Sequence, residues 1–178
     1  MQRKNRTALT PAPSGPGPWI ERERAGRGYK HLITESDLLA FISLIPDWDR
    51  VSYGLTGVLL ARRRQGWEGS YNHDDRVISI CAWEKNLWRT VDLPWYREHE
   101  ELFGRLGVEC AFLDGQMRCK FTMPQAKAYQ LLHVFLHELG HHQHSMGRKR
   151  KGTSGGGEEF AEAWTLEMER ELWTVYFE

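Results

Sequence analysis

One stretch of this chain constrains its fold more than any other: the run from Thr122 to Ser145 reads as a single capped helix with His137-Glu138-Leu139-Gly140-His141 inside it. Thr122 can cap the start, Gln125 completes a capping box, and Pro124 falls in the first turn, where its missing N–H costs nothing. At 3.6 residues per turn, His137 and His141 lie one above the other on one face, so both imidazoles can reach one metal ion. Glu138 then lies beside any water that ion holds. The plainer reading is two surface histidines flanking a glutamate on an amphipathic helix. A chance match of both spacing and helical context makes that the weaker of the two.

Two histidines do not make a catalytic zinc site; a third protein ligand is needed, with one position left open for water. The nearest candidates downstream are Glu158 and Glu159, which begin a helix after a glycine-rich loop, with sixteen residues between His141 and Glu158. Glu158 is preferred because its i+3 neighbour is the small Ala161, which lets the two helices approach closely. Either carboxylate alone could simply complement the helix dipole in the first turn.

The combination His137-Glu138-x-x-His141 and Glu158-x-Phe160-Ala161 resembles the gluzincin metallopeptidases, whose third ligand is a glutamate on the next helix. The likeness covers about residues 122–165, and the first 68 residues add nothing to it. A more distant likeness is to Spartan-like minimal metallopeptidases, through Gly69-Ser70-Tyr71 and the β-branched run that follows. That family uses a third histidine, however, and His142 and His144 lie too close to His141. The resemblance implies an α+β fold: one zincin-like domain over residues 19–178, with a small, twisted, mainly antiparallel sheet packed on the motif helix. The C-terminal helix would supply the third ligand. It implies Zn2+ held by His137, His141 and Glu158, and hydrolysis of peptide bonds with Glu138 as general base. Zinc would acidify a water and polarise the scissile carbonyl, while Glu138 takes the water proton and passes it to the leaving amine. It also implies that an edge strand near Gly69 to Ile80 binds the extended substrate.

No oxyanion donor stands out; Tyr71, His144 and Tyr176 are candidates, each more easily read as structural. His133, His142 and His144 fit surrounding or solvent-facing roles, and Asp74 or Asp75 could steady a ligand histidine. A rival from another class is a non-catalytic zincin-like binding or regulatory module, touching nucleic acid or an acidic partner through Arg148, Lys149, Arg150 and Lys151. Retention of Glu138 separates the two, because a site that only binds metal has no use for the base.

Composition sets the remaining bounds. At 178 residues and 40% hydrophobic content the chain suits one domain with a real core, and 24 basic against 24 acidic residues give no general argument for nucleic acid or membrane surfaces. No apolar run reaches the roughly 18 residues of a membrane span, and no apolar leader opens the chain; a cytoplasmic protein is expected. Residues 1–18, rich in proline and glycine, read as a flexible tail. Leu38, Leu39, Phe41, Ile42 and Ile45 predict a helix starting at Thr34 or Ser36 and stopped by Pro46. Val51 to Arg63 reads as a strand, Gly69 to Ile80 as one extended stretch, and Glu98 to Leu106 as a helix ended by Gly107. Asp114-Gly115 predicts a two-residue hairpin turn with Val108, Cys110, Phe112, Met117, Cys119 and Phe121 on one apolar face and Cys110 opposite Cys119. In a reducing compartment those two are expected to stay thiols.

Overall fold

The computed structural model describes residues 18–64, 66–147 and 157–178 and is of mixed α+β class. Its principal sheet has four strands, in the order β1 (Trp19–Arg22), β3 (Gly57–Ala61), β5 (Val77–Cys81) and β4 (Gly69–Asn72). β1, β3 and β5 run parallel, and β4 closes one edge antiparallel to β5, with Gly69 opposite Ile80 and Asn72 opposite Val77. All five residues of β5 are buried, as are four of five in β3. Such continuously apolar strands are what parallel pairs covered on both faces require. A two-residue pair joins β2 (Tyr29–Lys30) to β6 (Trp83–Glu84), and an antiparallel sheet follows the order β7 (Trp88–Val91), β9 (Gln116–Lys120), β8 (Glu109–Leu113). Antiparallel ladders thus outnumber parallel ones, but the sheet beside the motif helix has a parallel centre.

The helices lie where patterning places them, with instructive differences. Thr34 caps α1 (Glu35–Ile42) in a reciprocal box with Asp37, and α1 buries Leu38, Phe41 and Ile42. The strand expected from Val51 instead starts at Gly57, because a short helix α2 (Trp48–Val51) and a turn at Gly54, φ +77°, take up the residues before it. The single stretch Gly69 to Ile80 is a hairpin. Asn72 Oδ1 accepts from the backbone N–H of Asp74 (2.9 Å) and Asp75 (3.1 Å), and Arg76 adopts φ +53°, so the chain reverses there. Only Gly69–Asn72 therefore lies on the edge; Val77–Ile80 is its inner neighbour. Asp75 is spent on that turn, its Oδ2 accepting from Asn72 Nδ2 at 2.9 Å, and among the described residues neither Asp74 nor Asp75 is paired with a histidine.

The Asp114-Gly115 hairpin has the expected register, Leu113 opposite Gln116 and Cys110 opposite Cys119. Both turn residues have positive φ, 53° and 79°. Two expectations fail here. Cys110 and Cys119 are joined by a disulfide rather than left as thiols; they face each other at a non-hydrogen-bonded pair, the closer kind, with Cα atoms 4.1 Å apart. Phe112 is 56% exposed, because β8 is the outer strand and reaches past the core that receives Met117, Cys119 and Phe121. Among the described residues no helix is long and apolar enough to cross a membrane.

The motif helix is longer and less regular than its sequence suggests. Thr122 and Gln125 form the capping box of α4 (Met123–Tyr129); Gln130–Phe135 then widens into a π-helical segment, and α5 (Leu136–Gly147) follows. The helix packs on β4 and β5. Against its opening turns lies α3 (Leu93–Leu106), which starts five residues earlier than expected under an Asp92 cap and ends at Gly107, φ +69°. Trp83, Phe103, Phe121 and Tyr129 meet edge to face there, with centroids 5.1–6.0 Å apart.

The final helix, α6 (Gly157–Phe177), lies along α5 and is tied to α3 by Arg105 on Glu169, which is 2% exposed. Burial raises the Glu169 carboxyl, and Arg105, which also stacks on Trp173 at 3.7 Å, opposes that shift. Arg105→Ala is expected to cost about 2–3 kcal/mol at neutral pH, the low end for a broken buried pair because a third of the arginine is in solvent. An acid whose folded pKa is raised carries no penalty when both states are protonated and the full penalty above its folded pKa. The loss should therefore shrink as pH falls from 7.5 to 4.5 in urea titrations. An equal loss at both would assign it to the stacking on Trp173.

Candidate metal centre

The first turn of α5 carries His137 and Glu138, and the next carries His141. Their rings are 4.8 Å apart, and the two Nε2 atoms are separated by 3.1 Å. Glu158, in the first turn of α6, reaches over both: Oε1 is 3.0 Å from His137 Nε2, and Oε2 is 3.3 Å from His141 Nε2. One donor atom from each of the three lies within 4.8 Å of the others. Glu159 is not in this cluster.

Contact between helix backbones explains why Glu158 arrives there. A Cβ on Gly140 would stand 2.9 Å from Ala161 Cα and 3.0 Å from its carbonyl oxygen, so α5 and α6 touch where neither has room for a larger side chain. Ala161 is fully buried, and Glu158 lies three residues before it, on the face turned toward the histidines. The same glycine economy works on the other side. A Cβ on Gly69 would meet Val134 Cγ1 at 2.7 Å and Glu138 Oε1 at 2.9 Å, so β4 lies directly against the motif helix.

The three donors suit a metal ion of the zinc kind. They are two imidazole nitrogens and a carboxylate, and the histidine side chains are under a fifth exposed while Glu158 stays open to solvent. Burial lowers the His137 pKa, but the Glu162 hydrogen bond and the charges of Glu138 and Glu158 outweigh it, leaving a net rise. His141 is lowered, first by burial and then by the neighbouring His137. Glu138 is 8% exposed; burial pushes its carboxyl up to about 7, with Glu158 adding to the rise and His137 opposing it.

Glu162 was missed as a site residue in the sequence. Its Oε2 is 3.4 Å from His137 Nδ1, an otherwise unpartnered buried nitrogen, which is how a carboxylate behind a ligand imidazole fixes ring and tautomer. The signal was present: Glu162 is four residues beyond Glu158, one turn along the same face. Sequence reasoning likewise missed His99, whose Nε2 lies 3.1 Å from His133 Nε2.

The other candidates part company. Tyr71 hydrogen-bonds His142 Nδ1 at 3.0 Å, and His142 Nε2 lies 3.1 Å from the Tyr53 carbonyl, which fixes β4 and the loop after α2 to the motif helix. Tyr71 also lines the smaller of two cavities beside the centre, about 270 Å³, together with His73 and His141. His144 packs on Phe160, and Tyr176 packs on Phe41 at 5.7 Å in the core; neither lines either cavity. The run Arg148–Lys151 and residues 1–17 of the expected tail lie outside the described residues. No family model, curated protein or solved structure matches this chain.

Proposed function

We propose that this chain is a zinc-dependent metallopeptidase of zincin type, with His137, His141 and Glu158 as ligands and Glu138 as general base. The observation that carries the reading is the convergence of two histidines from one helix and a carboxylate from another beside a buried glutamate that no ligand role occupies. When bound, zinc would supply an acidified water and a Lewis acid for a peptide carbonyl. The chain's own residues do the rest. Glu138 accepts a proton and returns it to the leaving amine. Glu162 holds the His137 ring from behind, and the open edge of β4 offers backbone groups to an extended peptide. A cytoplasmic setting belongs to the proposal too, with the Cys110–Cys119 disulfide an exception to the reduced state usual there.

Metal analysis tests the ligand set. The purified protein is expected to hold one equivalent of zinc, Glu158→Ala to lose it and Glu159→Ala to keep it. Loss in the second variant alone would transfer the ligand role to Glu159. A zinc-free wild-type protein that takes up none on titration would remove the reading altogether.

A further inference from the structure

Beside the centre, on the side away from His141, lies a second and larger cavity of about 670 Å³; His137, Glu138 and Glu158 form its inner wall, and the residues beyond the centre have no part in the proposed hydrolysis. It opens between α3, the turn before β4, the π-helical segment and the first turns of α6. Two indoles stand in its walls: Trp67, 57% exposed, and Trp95, which stacks on His99 at 3.9 Å and 17°. The back is closed by a histidine pair. His99 Nδ1 donates to the Trp95 carbonyl at 2.8 Å, which turns its Nε2 toward His133 Nε2, 3.1 Å away.

The cavity's charge is of one sign. Among the described residues no lysine or arginine lines it. Glu68 is held by Arg89 and the Tyr129 hydroxyl, and Glu158 and Glu162 are engaged with His137. Glu98 from α3 and Glu159 from α6 remain, exposed, lining the cavity, and without an ion-pair partner among the described residues. A divalent cation at the centre would be matched by Glu138 and Glu158, leaving Glu98 and Glu159, as well as Glu162 behind a neutral His137, without counter-charge. Indole faces with carboxylates beyond them suit a side chain with an apolar stem and a cationic head.

Resting on the peptidase reading, we infer that this cavity is the specificity subsite and takes a lysine or arginine side chain from the substrate residue that follows the scissile bond. Polarity comes from β4, which runs from Gly69, at the larger cavity, toward Tyr71 and His73 at the smaller one. A peptide paired antiparallel to that edge runs the other way and lays its C-terminal side in the larger cavity.

The probes are two short peptides identical except for arginine or citrulline at the position after the expected scissile bond; citrulline keeps the shape and removes the charge. Cleavage by the zinc-loaded wild-type protein is read by mass spectrometry. Binding to the zinc-loaded Glu138→Gln variant is read by calorimetry. The arginine peptide is expected to lead by about tenfold in kcat/KM and in affinity, the scale of one charge-assisted contact. Glu98→Gln with Glu159→Gln should bring both ratios toward one, and Glu98→Lys should turn the preference toward a glutamate peptide. Equal cleavage and equal binding of the two peptides would overturn the subsite while leaving the peptidase standing. A tenfold binding preference without any cleavage would uphold the cationic subsite and sink the hydrolysis. Discrimination at the residue before the scissile bond would overturn the assigned polarity.

Discussion

Glu138→Gln is expected to retain its zinc and to lose hydrolysis of casein by a factor of about 10²–10⁴, the range associated with a positioned acid–base group. The substitution keeps size and shape at a tight position, 8% exposed and against the start of β4, so the fold has no reason to change. What it removes is the ability to take and return a proton. Zinc content, thermal midpoint and turnover measured on one preparation separate the possibilities. Unchanged turnover would remove Glu138 from the chemistry. An inactive wild-type protein holding stoichiometric zinc would favour a module that binds metal without hydrolysing anything.

Gly140→Ala is expected to destabilise the protein and weaken zinc binding, and Gly140→Val to do both more severely. Elsewhere in a helix, replacing glycine by alanine gains up to about 1 kcal/mol. Here the added carbon would stand 2.9 Å from the Ala161 Cα and 3.0 Å from its carbonyl oxygen, and backbone cannot swing aside as a side-chain tip can. α6 must move outward, at a cost of about 1–3 kcal/mol for the smaller substitution. Because Glu158 precedes Ala161 by three residues, the displacement carries its carboxylate away from His137 and His141. Chemical denaturation of the metal-free protein and competition against a chelator read the two effects separately. A more stable Gly140→Ala protein with undiminished zinc affinity would show that the helices do not touch there.

How much of this was legible in the sequence depends on the range of the interaction. The Thr122–Gln125 capping box, the Asp114-Gly115 turn and the spacing of His137 and His141 are local, and each follows from neighbours within a turn or a hairpin, whereas the sequence left the cap of α1 open between Thr34 and Ser36. The preference for Glu158 over Glu159 also came from a local cue, the small Ala161, because close helix approach demands a small residue at a fixed offset. The hairpin hidden in Gly69 to Ile80 was misread because its turn, Asn72 to Arg76, is polar and charged without a glycine. The positive φ it needs falls on Arg76, which carries no sequence signature. Phe112 was misassigned to the core because alternation gives the face of a strand but not how far the core extends beneath it. The aromatic cavity and the His99–His133 pair were beyond reach, since they join segments that only the packing of α3 against the motif helix brings together.

The widened turn at Gln130–Phe135 sets the phase between the two halves of the motif helix. Upstream of it, Ala126, Ala128 and Tyr129 face the core; downstream, His137 and His141 must face Glu158. A π turn takes in one residue more than an α turn, equivalent to roughly 100° of rotation. The segment therefore works as a gear between two packing surfaces that a straight helix could not serve together. Deleting one residue within it would let the helix run regular, but with the imidazoles and the buried upstream side chains out of step, so one of the two surfaces would have to give way.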